Sequence, residues 1–274
     1  MSFFTILFTA GSILLVLMTV LWVFSLLIRD SSIVDIFWGL SFIVLSSVYF
    51  INTPGGIYSR RLLVWLLVFV WGVRLAGYIF WRNWGKGEDF RYRKWRQQHG
   101  SRWWLRSYFQ VFLLQGLLAW LLSTPLLAAM LSPTPPALSV SDYVGGLIWL
   151  LGFAFESTAD WQLAAFKRDP SNFGKVLQSG LWRYTRHPNY FGEALLWWGF
   201  GILGLNNPNG WWTLYSPMLM SYLLVNVSGV RLLETSMQEK HTAYQEYIRT
   251  TSPFFPMPPR SPKNKNSTDK PSLR

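Results

Sequence analysis

The sequence predicts an all-α fold of one kind: a polytopic membrane protein whose seven apolar segments form a transmembrane helix bundle. Three observations carry this expectation. Of 274 residues, 51% are hydrophobic and only 14% are charged, against about 25% in soluble domains. The apolar residues fall into blocks, each near the roughly 20 residues needed to cross a bilayer. These blocks are apolar nearly all round, without the polar face that a helix of a soluble bundle keeps.

In chain order the runs are Phe3–Ile28, Ile33–Phe50, Leu62–Trp81, Tyr108–Leu131, Tyr143–Phe166, Tyr190–Leu205 and Trp211–Val230. The first lacks a basic leader and a small-residue cleavage site before "RDSSIVD", so it reads as a retained span and not a signal peptide. The second and sixth are short, which makes six spans the competing count. Charge decides between the two. Lys and Arg gather in "RNWGKGEDFRYRKWRQQHGSRWWLR" after the third run, in "KRDPSNFGKVLQSGLWRYTR" after the fifth and in the tail after the seventh; "SPTPPALSVSD" after the fourth has neither. Seven spans put all three basic stretches in the cytoplasm, with the N-terminus outside and the C-terminus inside. Arg60 and Arg61 alone fit poorly, because they fall on the outer side.

A single membrane domain over residues 1–258 is expected, without internal repeats. Residues 259–274, rich in Pro, Ser and Lys, are expected to be disordered. Just before them, "EKHTAYQEYIRT" reads as a short polar helix and "SPFFPMPP" as a segment packed on the cytoplasmic face. The net charge of +12 is confined to loops on one side, which points to membrane lipids as partners and not to nucleic acid. Trp84, Phe90, Tyr92, Trp95, Trp103 and Trp104 in the first basic loop read as an interfacial belt. The chain has no cysteine, and His99, His187 and His241 are far apart in sequence, so no metal site is expected.

Ionisable residues inside a span are costly, and they mark cavities or partners. On the fifth run Glu156, Asp160 and Lys167 share one helical face, running from membrane depth to the cytoplasmic end. Helix packing is the plainer reading. The functional one is a ligand rich in hydroxyl and amide donors, such as a ribose or a carboxamide. Asp35 on the second run and Arg74 on the third come to similar depth in antiparallel neighbours, either as a structural pair or as catalytic groups. Gln115 reads as interhelical glue.

The stretch "LWRYTRHPNYFGEALLWWG" sets Pro188 at a helix start, where backbone N–H groups and the dipole favour an anion. Arg183, Arg186, His187, Lys167 and Arg168 are close enough in sequence to supply phosphate contacts. Asn189 and Glu193 lie one turn apart and face the same way. An anion at the mouth with hydrogen-bonding groups deeper in describes a nucleotide cofactor entering a helix bundle; lipid-headgroup binding is the alternative.

These motifs, with "SIVDIFWG", "FESTADWQLAAFK" and "SGVRLLETSMQEK", closely resemble bacterial membrane proteins of the steroid 5-alpha-reductase-like family over nearly the whole chain. The resemblance implies a seven-helix bundle in the cytoplasmic (inner) membrane, with NADPH entering from the cytoplasm. It also implies reduction of a carbon–carbon double bond conjugated to a ketone. Carried onto this sequence, the cofactor positions fall on Asp160, Lys167, Arg168, Asn189 and Glu193, with Tyr184, Arg186 and His187 in the same signature. Arg231 and Glu234 begin the segment expected to close over the cofactor, and Tyr244 and Tyr247 continue it. The steroid reductases hold the ketone with a glutamate on the second span and a tyrosine on the third. Here Asp35 takes the glutamate's place, and Arg74 or Tyr78 substitutes for the tyrosine.

The expected activity is therefore an NADPH-dependent oxidoreductase acting on an apolar enone, steroid-like or another lipid. Two alternatives stand beside it. A methyltransferase using S-adenosylmethionine on a lipid or prenyl-cysteine carboxylate shares the "RHPxYxG" helix start. A lipid-binding or assembly protein would bind no nucleotide at all.

Overall fold

The computed structural model describes residues 1–227, 229, 230, 234 and 242–260. Among the described residues there are helices and no strand; Thr185 and Ser252 form one isolated parallel bridge. Helices α1 (Phe3–Ile28), α2 (Ile33–Asn52) and α3 (Tyr58–Asn83) carry the first three apolar runs. Helix α4 (Phe90–His99) follows in the basic loop, and α5 (Trp103–Ser107), α6 (Leu114–Leu122) and α7 (Thr124–Leu131) share the fourth run. Helix α8 (Val140–Arg168) and α9 (Pro188–Gly204) carry the fifth and sixth. The seventh is α10 (Tyr215–Tyr222) with a π-helical turn to Val227, and α11 (Thr242–Thr250) comes after it.

Four helical paths are long and apolar enough to cross a membrane among the described residues: α1, α2, α3 and the path Phe90–Leu131. This is the composition of an integral membrane protein. Helix α8 has the length, 29 residues, but carries Asp142, Glu156 and Asp160; α9 has only 17 residues and α10 only 8. The fourth run is not one uniform helix. A π-helical stretch, Tyr108–Leu113, interrupts it, and Pro125 begins α7 where the missing proline N–H costs nothing.

The chain divides into two compact units. The first comprises Met1–Trp149 and Trp197–Met220. In it α2 and α3 cross with backbones touching: a Cβ added at Gly39 would come 2.7 Å from the Gly72 carbonyl oxygen. Small residues permit such close approach where apolar lipid gives helices no hydrophobic drive to associate. Phe42, Trp71 and Trp197, all fully buried, form the aromatic centre of this unit.

Arg60 and Arg61, the two cations that fit the charge pattern poorly, lie in the first turn of α3 and are both buried. Arg60 is fully buried and forks onto Asp142, with Nε donating to Oδ1 and Nη2 to Oδ2, each at 2.8 Å. Its Nη1 donates to the Thr134 carbonyl at 3.1 Å. Asp142 also accepts from the Ser139 backbone N–H and from Asn206 Nδ2, each at 2.8 Å. Arg61 donates to the Phe50 carbonyl and lies over the Phe50 ring.

The second unit comprises Leu150–Leu196 and the described residues from Ser221 onward. Here α8 and α9 meet at Gly152 and Gly192, where an added Cβ would lie 2.4 Å from the Leu196 and Glu156 backbone nitrogens respectively. The loop after α8 folds back on it. Trp182 Nε1 donates to the Ala159 carbonyl, and Gly180, at φ 61°, lets the Leu181 N–H reach Gln162 Oε1. Residues 261–274, most of the expected tail, and Arg231 lie outside the described residues.

Candidate functional site

In the second unit, the signature residues on α8 and α9 come together. Asn189, in the first turn of α9, donates Nδ2 to Asp160 Oδ1 on α8 at 3.2 Å. Asp160, Glu156 and Glu193 are all buried. Asn189 Oδ1 is buried and has no hydrogen-bond partner. Such an acceptor costs about 1–3 kcal/mol unless something donates to it.

The expected cation cluster separates into two sets. Lys167, Arg168 and Arg183 are exposed, as is Tyr184. Arg186 is buried and faces the C-terminal segment: Nε and Nη2 each lie 2.7 Å from Glu234 Oε1, and Nη1 donates to the Ile248 and Thr251 carbonyls. His187 stacks on Tyr190, and its Nε2 lies 3.4 Å from the same Glu234 oxygen. Burial alone would raise the Glu234 carboxyl, but the close approach of the His187 imidazole and the hydrogen bond from Arg186 outweigh it and hold the group below its usual range. Arg186 is thus a tie between the "RYTRHP" loop and the chain's end, and not an open phosphate contact.

The rest of that segment binds the loop too. The Arg186 N–H donates to the Ser252 carbonyl at 2.9 Å, Thr185 Oγ1 to Phe254 at 2.9 Å, and the Met257 N–H to Tyr184 at 3.0 Å. Tyr247, buried, donates its hydroxyl to the Trp182 carbonyl. Tyr244 is buried beside Glu234, and burial first, then that charge, pushes its phenol up to about 12.

In the first unit, Asp35 sits in the first turn of α2 and meets α4. Arg91 Nη2 donates to its Oδ2 at 2.7 Å, and the Tyr92 hydroxyl to its Oδ1 at 2.6 Å. Gln115 Nε2 donates to the Tyr92 oxygen at 3.3 Å, so the glutamine is part of this network. Arg96 grips Glu88 at 2.7 Å, and Glu88 accepts the Ser31 N–H at 2.9 Å. Burial would raise Glu88, but the Arg96 and Ser31 bonds hold it low. Arg74 and Tyr78, four apart on α3, stack as a cation over a ring at 5.5 Å, and Arg82 covers Tyr78 at 5.7 Å.

Sequence reasoning therefore missed Tyr92 and Arg91, which it placed in an interfacial belt and a basic loop. A signal was present: Glu88 and Asp89 are acids inside an otherwise basic stretch, where the topology rule gives them no use. Among the described residues no group of acids and histidines is arranged to hold a metal ion.

Residues 21–251 match the model of a family described as protein of unknown function, DUF1295. A protein of Schizosaccharomyces pombe, described as uncharacterized, is 28% identical over 277 residues, covering 91% of this chain and 79% of the relative. No solved structure matches the chain.

Proposed function

The chain belongs to the DUF1295 family, and we propose that it is an NADPH-dependent membrane oxidoreductase reducing a carbon–carbon double bond conjugated to a carbonyl in a steroid-like or other lipid. The observation that carries this reading is Asn189. Its amide is fixed by Asp160 on one side and leaves a buried acceptor on the other. A donor of the carboxamide type satisfies it, and Glu156 and Glu193 supply further acceptors for hydroxyl and amide donors. The exposed Lys167, Arg168 and Arg183 suit phosphate groups. NADPH, when bound, supplies a hydride to the β-carbon of the substrate and leaves as NADP⁺.

Tyr92 and Asp35 are the groups best suited to the carbonyl. A carbonyl oxygen at this pair takes the Tyr92 proton in a hydrogen bond. Arg91 offsets the Asp35 charge, so a developing enolate oxygen meets the donor without a net negative neighbour. The α-carbon then takes a proton from solvent. The seven-span topology with a cytoplasmic C-terminus, in a bacterial inner membrane, belongs to the same proposal; the buried Arg60–Asp142 pair supports it by neutralising one of the two cations that fit it poorly.

Titrating NADPH into the purified full chain, read by nicotinamide fluorescence, tests the cofactor assignment. Saturable binding is expected, and Asn189→Leu is expected to weaken it about tenfold, within the range for losing a buried hydrogen bond. Equal affinity in a folded Asn189→Leu protein makes the amide a packing residue. Binding of S-adenosylmethionine but not NADPH selects the methyltransferase, and binding of neither selects the lipid-binding protein.

A further inference from the structure

The charges of the basic loop after α3 are sorted by the fold. Its acids turn inward: Glu88 is held by Arg96 and Asp89 by Arg91, which also holds Asp35 on α2. The cations left over turn outward. Arg93, Lys94, Arg102 and Arg106 are all exposed, and Lys94, Arg102 and Arg106 make no ion pair among the described residues. Beside them Phe90, Trp104 and Phe109 are 57%, 53% and 56% exposed. A loop of mixed charge thus exposes cations beside aromatic rings, with its two acids held by arginines.

We propose that this face, on α4, α5, the turn between them and the start of the π-helical stretch, is a binding surface for anionic phospholipid headgroups. The chemistry matches on both counts. Aromatic rings settle at the level of the headgroups, and arginines one turn apart, at 102 and 106, reach phosphates from above the apolar Leu105 and Phe109. Inward pairing of the acids removes the repulsion they would exert on a phosphate. The same pairing ties the lipid-facing helix to Asp35 through Arg91, so lipid contact and the proposed carbonyl site share one element.

The test uses the full chain in phosphatidylcholine vesicles and compares spin-labelled phosphatidylglycerol with spin-labelled phosphatidylcholine for immobilisation at the protein surface. Wild type is expected to favour the anionic lipid at least about fivefold, the effect of a single cation near such a surface. Replacing Arg93, Lys94, Arg102 and Arg106 by Gln should abolish that preference. A control with the same loss of charge at the exposed Arg29, Lys175, Arg249 and Arg260 should retain it. Equal losses in the two variants, or no preference in wild type, overturn the proposal. If the fourfold variant does not fold, Lys94→Gln and Arg106→Gln singly should each lower the preference, and no change in either has the same consequence. NADPH affinity is independent of this result, so failure here leaves the cofactor assignment untouched.

Discussion

Tyr92→Phe is expected to lower turnover by about 10²–10³-fold, the usual loss when a donor to a developing oxyanion is removed. The substitution deletes only the hydroxyl that lies 2.6 Å from Asp35 Oδ1. The ring, buried against Trp95, keeps its packing. NADPH affinity should stay at the wild-type value, because the residues assigned to the cofactor lie on α8, α9 and the loop between them. Steady-state kinetics with NADPH oxidation as readout separates the two quantities. Unchanged turnover would remove Tyr92 from the chemistry and return attention to Arg74 and Tyr78.

The second large effect is on stability. Arg60→Leu leaves Asp142 buried without its guanidinium, and loss of one partner of a buried pair costs about 3–5 kcal/mol. Asn206 and Ser139 still donate to the carboxylate, so collapse is not complete. Arg60→Leu/Asp142→Leu should recover most of the loss, since both charges are then gone. Denaturation in detergent, followed for wild type, the single variants and the double variant, gives the coupling directly. An Arg60→Leu protein within about 1 kcal/mol of wild type would show the pair to be incidental.

Much of the fold is legible in the sequence, because apolar runs of bilayer length leave few alternatives to helix. The start of α1 at Phe3 and its end at Ile28 coincide with the first run. Where charge was read as a loop feature, the structure differs. Arg60 extends α3 beyond the apolar run because its partner, Asp142, arrives from a residue 82 positions away. The same limit hid the candidate site's details. Arg186 reads as a phosphate contact until Glu234, 48 residues on, is seen to hold it. Tyr92 reads as a belt residue until Asp35 is beside it. By contrast, Asp160 and Asn189 stand out in the sequence as polar residues on or beside apolar runs, and the structure joins them by a hydrogen bond. Spacing along one helix predicts which residues share a face, but not which distant residue meets that face.

The most direct test of the reductase assignment follows the hydride. The purified full chain is incubated with a lipid extract and NADPH deuterated at the transferable C4 position, and the lipids are analysed by mass spectrometry. The assignment predicts a lipid class that gains a single deuterium and a single proton across a conjugated double bond, with NADPH consumed in equal amount. The product should be nearly absent with Tyr92→Phe. Folded protein saturated with NADPH that transfers no deuterium to any enone-bearing lipid would contradict it.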